Sequence, residues 1–202
     1  MLLYHCRSDI MDLQLPMEKV SFGLNSTEEN NKINVALVAT GSFNPPTFMH
    51  LRMFELARDA LQSEGFHVIA AYMSPVSDAY KKTGLVSGDH RLQMCRLACE
   101  TSDFIMVDPW EVRTICSDYG VVCICREGQD VNKIISDDEI LNENKGNIRV
   151  TNDLVPNQIS STRVRECISR GLSIKYLTAD GVIDYIRDKG LYRNQEDKKD
   201  DF

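Results

Sequence analysis

The 202-residue chain reads as an α/β protein built on a parallel sheet. Three observations predict this. Short apolar runs of strand length alternate with stretches of helical periodicity from residue 33 to residue 189. Gly closes several of the helical stretches, as at Gly65, Gly171 and Gly190. A turn rich in Gly and Pro, Gly41-Ser-Phe-Asn-Pro-Pro-Thr-Phe-Met-His50, joins the first such strand to the first such helix. Ligands of parallel α/β sheets bind outside the carboxyl ends of the strands, so this turn stands where chemistry is expected.

Element by element, Ile33–Thr40 is an apolar run that predicts a buried strand. Phe48–Glu64 is a helix, with Leu51, Phe54, Leu56 and Leu61 approximating one apolar face and Gly65 supplying the stop. Phe66–Met73 is a second strand, Ser87–Glu100 a helix and Phe104–Val107 a third strand. Ser117–Gly120 is a turn before Val121–Cys125, a strand rich in β-branched residues. A short helix is expected over Val131–Leu141, a strand over Asn147–Thr151, and helices over Ser161–Arg170 and Gly181–Lys189. Residues 1–32 carry no clear periodicity and are expected to be a flexible extension, with Met11 a second possible start. The domain is expected over 33–192, followed by a disordered acidic tail over 193–202.

Composition narrows the function classes. With 43% hydrophobic residues the chain can bury one good core. Lys and Arg total 23 against 30 Asp and Glu, a net charge of −7 with a pI of about 5.1. That balance argues against a general nucleic-acid binder, whose footprint would be a basic face. Seven cysteines (6, 95, 99, 116, 123, 125, 167) form no C-x-x-C pair and read as reduced thiols of an intracellular protein. No run of 18 apolar residues is present, so no membrane partner is expected. Residues 1–6 are too short for a signal-peptide core, which leaves a cytoplasmic or nuclear location as the expectation. Asn25-Ser-Thr matches a glycosylation sequon with nothing else to suggest secretion. Neither G-x-G-x-x-G nor G-x-x-x-x-G-K-[S/T] occurs, which argues against a standard dinucleotide-binding dehydrogenase and a P-loop enzyme.

Two helix starts carry the candidate chemistry. A helix N-terminus offers unpaired N–H groups and partial positive charge, a ready anion site. Gly41 lets backbone approach a ligand, Pro45-Pro46 fix the turn, and Thr47 is the expected N-cap, with His50 in the first turn beside any bound phosphate. A plain βα turn with a structural histidine is the other reading. The helix near Ser160-Ser161-Thr162 has Arg163 and Arg165 where Asp or Glu is preferred, which is unfavourable unless an anion offsets the charge. A triphosphate would do so; arginines reaching solvent along the helix flank are the alternative.

The turn resembles the GxFxPxTxxH-type signature of the nucleotidylyltransferase superfamily. The chain is most similar to the eukaryotic nicotinamide mononucleotide adenylyltransferases, through Ser74–Leu85 (SPVSDAYKKTGL), Val107–Glu111 (VDPWE) and Asn157–Arg165 (NQISSTRVR). The resemblance implies a Rossmann-like, doubly wound parallel sheet. It implies transfer of an adenylyl group from ATP to nicotinamide or nicotinate mononucleotide, forming NAD or deamido-NAD and pyrophosphate, with Mg²⁺ carried on ATP. By resemblance, His50 and Arg163 are the catalytic pair, and Gly41, Ser42, Phe43, His50, Asn157, Ser161, Thr162, Arg163 and Arg165 bind ATP. Lys82 and Trp110 would serve the mononucleotide, although a buried structural tryptophan accounts for Trp110 equally well. A homo-oligomer is compatible with the resemblance.

One interruption departs from the family. After Glu111 the family pattern continues with a helix, a strand ending in Gly-Ala/Ser-Asp-Leu-Leu and a Trp-containing loop; here Val112–Tyr119 follows directly. The missing strand lies beside the first one in the family's sheet, and its aspartate and the loop's tryptophan help bind the mononucleotide. Its loss would orphan two rows of backbone hydrogen-bonding groups unless the neighbours close ranks. The expectation is therefore a sheet short of one central strand, with weakened docking of its parts. A catalytically weak or inactive variant that binds ATP or a partner without turnover is the alternative function.

Overall fold

The computed structural model describes residues 2–5, 15–21, 32–76, 78, 82–108, 120–125, 131–137, 145–153, 155 and 157–193. The first predicted strand is β2 (Ile33–Gly41), whose Val35–Ala39 stretch is buried throughout. An unbroken apolar run suits a strand covered on both faces, because alternation is needed only where one face meets water. Helix α1 (Phe48–Ser63) follows and buries Met49, Phe54, Leu56, Ala57 and Leu61. Strand β3 (Phe66–Pro75), helix α2 (Gly88–Cys99) and the three-residue β4 (Ile105–Val107) continue outward, so β2, β3 and β4 are parallel neighbours. The β2–β3 register shifts between Val35 and Ala36, where Ile69 is the extra residue on β3.

Strand β5 (Gly120–Cys125) and β6 (Ile148–Asn152) form a second parallel pair, with the short helix α3 (Val131–Asp137) between them in sequence. Helices α4 (Ser161–Ser169) and α5 (Asp180–Asp188) complete the chain of elements. Val35, Leu37 and Ala39 pack with Phe54, Ala57 and Leu61 of α1 and Cys95 and Cys99 of α2 on one face of the sheet. Ala36 and Val38 join Ile69, Tyr72 and Met106 in a second cluster, with Leu15 and Val20 against it. A third cluster joins α2, α4 and α5 through Met94, Ala98, Val164, Val182 and Ile186.

The N-terminal region differs from the sequence expectation. Leu2–His5 forms a strand, β1, and the sheet order is β4-β3-β2-β1-β5-β6. β1 runs antiparallel between β2 and β5, pairing Leu2 with Val38 through His5 with Val35 on one side. On the other it pairs Leu2 with Val121 and Leu3 with Gly120. The position beside the first parallel strand is thus filled by the chain's own start, and the sheet is mixed rather than wholly parallel. Leu15–Ser21 also has a defined place: Ser21 donates to Ile69 O at 2.9 Å and Tyr72 Oη to Pro16 O at 2.9 Å. Lys19 Nζ donates to Cys99 O and Ile105 O. The expectation of a flexible extension over 1–32 is therefore corrected for residues 2–5 and 15–21. Unpaired edges of β2 and β5 inside a buried sheet are costly, and the N-terminal backbone pairs with Val35–Val38 of β2 and Gly120–Val121 of β5. Trp110, the join after Glu111 and the tail over 194–202 lie outside the described residues.

Candidate active site

The Gly41–His50 turn is defined by where its carbonyls go. Arg91, fully buried, donates to Ser42 O at 3.3 Å. Arg165 donates to Asn44 O at 2.7 Å, Ser161 Oγ to Pro45 O at 2.6 Å, and Thr178 Oγ1 to Pro46 O at 2.9 Å. Gly41 O accepts from Val76 N–H at 3.0 Å. These carbonyl acceptors are thus all drawn into the protein. Phe43 holds φ at 40°, a sparsely populated conformation for a residue with a side chain, and its ring is buried. A Cβ placed on Gly41 would come within 3.2 Å of that ring, so a side chain there would make the ring give way by a few tenths of an ångström.

Asn44 is the hub. Its buried side chain donates to Gly84 O at 2.7 Å and accepts from Val86 N–H at 3.3 Å and Tyr192 Oη at 2.8 Å. The loop bearing Lys82 is thereby tied to the turn, while Lys82 itself is exposed; Lys81 lies outside the described residues. Burial pushes the Tyr192 hydroxyl well above its ordinary range, so it remains a donor. Arg91 also reaches Val86 O and Asp78 Oδ1. Asp78 is held below its ordinary carboxylate range by the Gly88 N–H and the Arg91 guanidinium.

His50 is fixed by the cap of α1. Thr47 N–H donates to His50 Nδ1 at 3.0 Å, and the Thr47 hydroxyl lies 2.8 Å from the same nitrogen. This is a capping box with histidine in the place usually taken by Glu or Gln. A ring nitrogen that accepts a backbone N–H carries no proton, so the neutral imidazole bears its hydrogen on Nε2. The Phe43 ring meets the imidazole edge-on at a centroid distance of 5.1 Å and fixes its plane.

The second expected anion site is the start of α4. Ser160 is the N-cap and accepts from Arg163 N–H at 3.3 Å. Ser161 uses its hydroxyl to dock the helix on Pro45, and Thr162 is exposed beside Arg165. Asn157 accepts from Ile159 N–H and donates to Met49 Sδ, which ties the approach of α4 to α1. The two arginines part company here. Residues two apart on an α-helix point about 200° from each other. Arg165 turns to the His50 loop, whereas Arg163 turns to Gln158 and a groove of about 420 Å³ lined with Glu166, Cys167 and Arg170. The arginine whose guanidinium bonds the turn is Arg165, while that of Arg163 bonds Gln158.

Sequence reading passed over Arg91, Asn44, Tyr192 and Asp153. Asp153 follows β6, and its side chain is 5% exposed with Arg52 of α1 at 3.8 Å. Its Oδ1 accepts from Val155 N–H, while Oδ2 has no hydrogen-bond partner among the described residues. A carboxylate directly after a parallel strand was the available signal.

Comparison with known proteins fits this geometry. The cytidylyltransferase-like family matches residues 38–167, from the end of β2 into α4. The chain is 52% identical to the nicotinamide/nicotinic acid mononucleotide adenylyltransferase of Arabidopsis thaliana, covering 90% of this chain and 98% of that protein. It is 46% identical to the Oryza sativa subsp. japonica protein of the same name, over 92% and 97% of the two chains. The Arabidopsis alignment runs over 237 residues, so between a fifth and a quarter of its positions have no residue in this 202-residue chain. Among solved structures, the fold is shared with a Vibrio parahaemolyticus protein provisionally assigned as a nicotinate-nucleotide adenylyltransferase. That likeness has a TM-score of 0.53 at 14% identity, over 79% of this chain and 96% of that one. The aligned plant proteins are matched almost end to end, and the chain belongs to the nicotinamide/nicotinic acid mononucleotide adenylyltransferase family.

Proposed function

We propose that the protein transfers the adenylyl group of ATP to nicotinamide or nicotinic acid mononucleotide, forming NAD or its deamido form and releasing pyrophosphate. The observation that carries this reading is the inward-drawn turn with its fixed histidine, facing the cationic start of α4. An acceptor phosphate oxygen attacks the α-phosphorus of ATP in line, and the bond from that phosphorus to the bridging oxygen of the leaving pyrophosphate breaks. No protein nucleophile is required, so catalysis consists of positioning and of stabilising charge on the phosphoryl oxygens.

His50 Nε2–H donates to a non-bridging oxygen of the α-phosphate, and the Thr47 amide keeps that tautomer in place. The backbone of Gly41–Phe43 cradles the nucleotide, with Arg91 anchoring Ser42 from behind. The α4 N-terminus with Thr162 and Arg165 takes the polyphosphate, and Arg163 serves its outer end. Asn157 and Ser161 shape the adenosine side, and Lys82 meets the acceptor phosphate. Among the described residues no group of three His, Cys, Asp or Glu is disposed to hold a metal ion. The divalent cation belongs to the nucleotide substrate, and Mg²⁺ is the ion we propose, neutralising the pyrophosphate charge. No helix of the described residues is long and apolar enough to cross a membrane. We further propose a cytoplasmic or nuclear location, a domain that takes in Leu2–His5 and Leu15–Ser21 and ends near residue 192, and no nucleic-acid partner.

Binding without turnover is not favoured, because the likeness spans nearly the full length of enzymes named for this activity. Pyrophosphate release by purified protein with Mg·ATP and each mononucleotide tests the proposal. Release that depends on a mononucleotide supports it; release with neither overturns it.

A further inference from the structure

We propose that the gap between β2 and β5 is a strand-binding site whose ligand is an extended peptide backbone, filled here in cis by Leu2–His5 and open to the same segment supplied in trans. The gap is defined on both sides by strands that run parallel to each other, yet its occupant runs the other way. That occupant is not the hairpin partner of either neighbour. Residues 6–32 separate it from β2, and Leu15–Ser21 of that stretch are held at the sheet by Ile69, Tyr72 and Lys19. The strand is thus not the product of a tight turn.

Three features make the site a receptor for backbone. β2 is buried from Val35 to Ala39, so an empty gap would present an apolar strand edge, the kind that recruits another strand. The pairing is brief: four residues face β2, and two of them also face β5. Covalent attachment raises the local concentration of the segment, so brief pairing suffices in cis. Polarity also places the occupant, since Leu2 lies opposite Val38, three residues before Gly41. The leading end of the strand therefore points toward the crevice that holds the turn. This inference is independent of the adenylyl-transfer reading, because it concerns backbone pairing and is measured without nucleotide.

The test uses a fluorescent peptide of residues 1–10, with Cys6→Ser to prevent disulfides, titrated into the chain lacking residues 1–10 and into the full chain. Saturable binding to the truncated chain, at least tenfold weaker to the full chain, is expected. Equal binding to both, or none to a folded truncated chain, overturns the proposal. Should the truncated chain fail to fold, Leu3→Pro in the full chain decides. Leu3 faces a neighbour on each side, so its N–H has a ladder partner, and proline removes that bond. Amide exchange at Val35–Val38 should then accelerate at least tenfold while Val164–Ser169 of α4 is unchanged. Unchanged exchange at Val35–Val38 overturns the proposal.

Discussion

The turn at residues 41–50 and the seam at the centre of the sheet are held in opposite ways. The turn is stitched by side chains from distant parts of the sequence: Arg91 from α2, Ser161 and Arg165 from α4, Thr178 from the approach to α5, and Tyr192 near the end of the described chain. Arg91 and Thr178 are buried and the other three are half-buried, so losing the bond from Arg91 or Thr178 leaves an unsatisfied group. The seam is held by the backbone of β1, supplemented by Val122 in the core and by bridges from α1 to the β6 side. Those bridges, Arg149 with Glu64 and Arg52 with Asp153, are partly exposed on at least one partner and contribute little. The side chains that hold the turn therefore come from outside the β1–β5 seam, although β2 itself leads into the turn. A chain can lose a segment from the middle and keep the first, provided something closes the second.

The sharpest way to break the contrast is at His50. On the proposed function, His50→Ala removes the donor to the reacting phosphate and should lower kcat by about 10²–10³ with little change in KM for the mononucleotide. Steady-state pyrophosphate release measures this, and wild-type turnover would return His50 to a structural role in the cap. A second measurement separates the two arginines. Arg165→Ala should weaken Mg·ATP binding by about 1.5–3 kcal/mol, the worth of one charged hydrogen bond, and Arg163→Ala by distinctly less. Titration calorimetry on both variants reads the order; the reverse order would place the nucleotide in the Arg163 groove.

Thr178→Val keeps shape but deprives buried Pro46 O of its donor, and should cost about 1–3 kcal/mol of stability by denaturant unfolding. The smallest effect concerns Asp78. Its carboxyl titrates below its ordinary range in the folded protein, so its contribution is present above the unfolded-state value and fades as pH falls through the folded one. Because Asp78 is well exposed, solvent screens the pair with Arg91. Asp78→Asn should therefore flatten only the acid end of the stability curve, seen in melts below about pH 4, where unperturbed Asp titrates.

Legibility in the sequence followed the range of the interactions. The elements from β2 to α5 stand close to where periodicity and Gly or Pro punctuation place them, because those signals are local. β1 is four residues long, too short to show a period, and its partners lie thirty or more residues away in sequence. Arg91 and Asn44 carry no local mark either, since what makes them important is burial among groups brought together by the fold. The arginines of α4 were legible as a charge anomaly, and helix phase alone would have separated Arg163 from Arg165. Two cysteines of α2 were readable as core thiols. Cys95 and Cys99 are buried, and burial pushes the Cys99 thiol up to about 12. The expectation of a gap in the sheet rested on counting strands after Glu111, and it omitted a donor from the other end of the chain.

Separate calorimetric titrations of the full chain with Mg·ATP and with nicotinamide mononucleotide test the central claim most directly. The account predicts saturable Mg·ATP binding that is weakened in His50→Ala and Arg165→Ala, with the mononucleotide bound more weakly than ATP. Absence of ATP binding in a protein that binds the mononucleotide normally would contradict it.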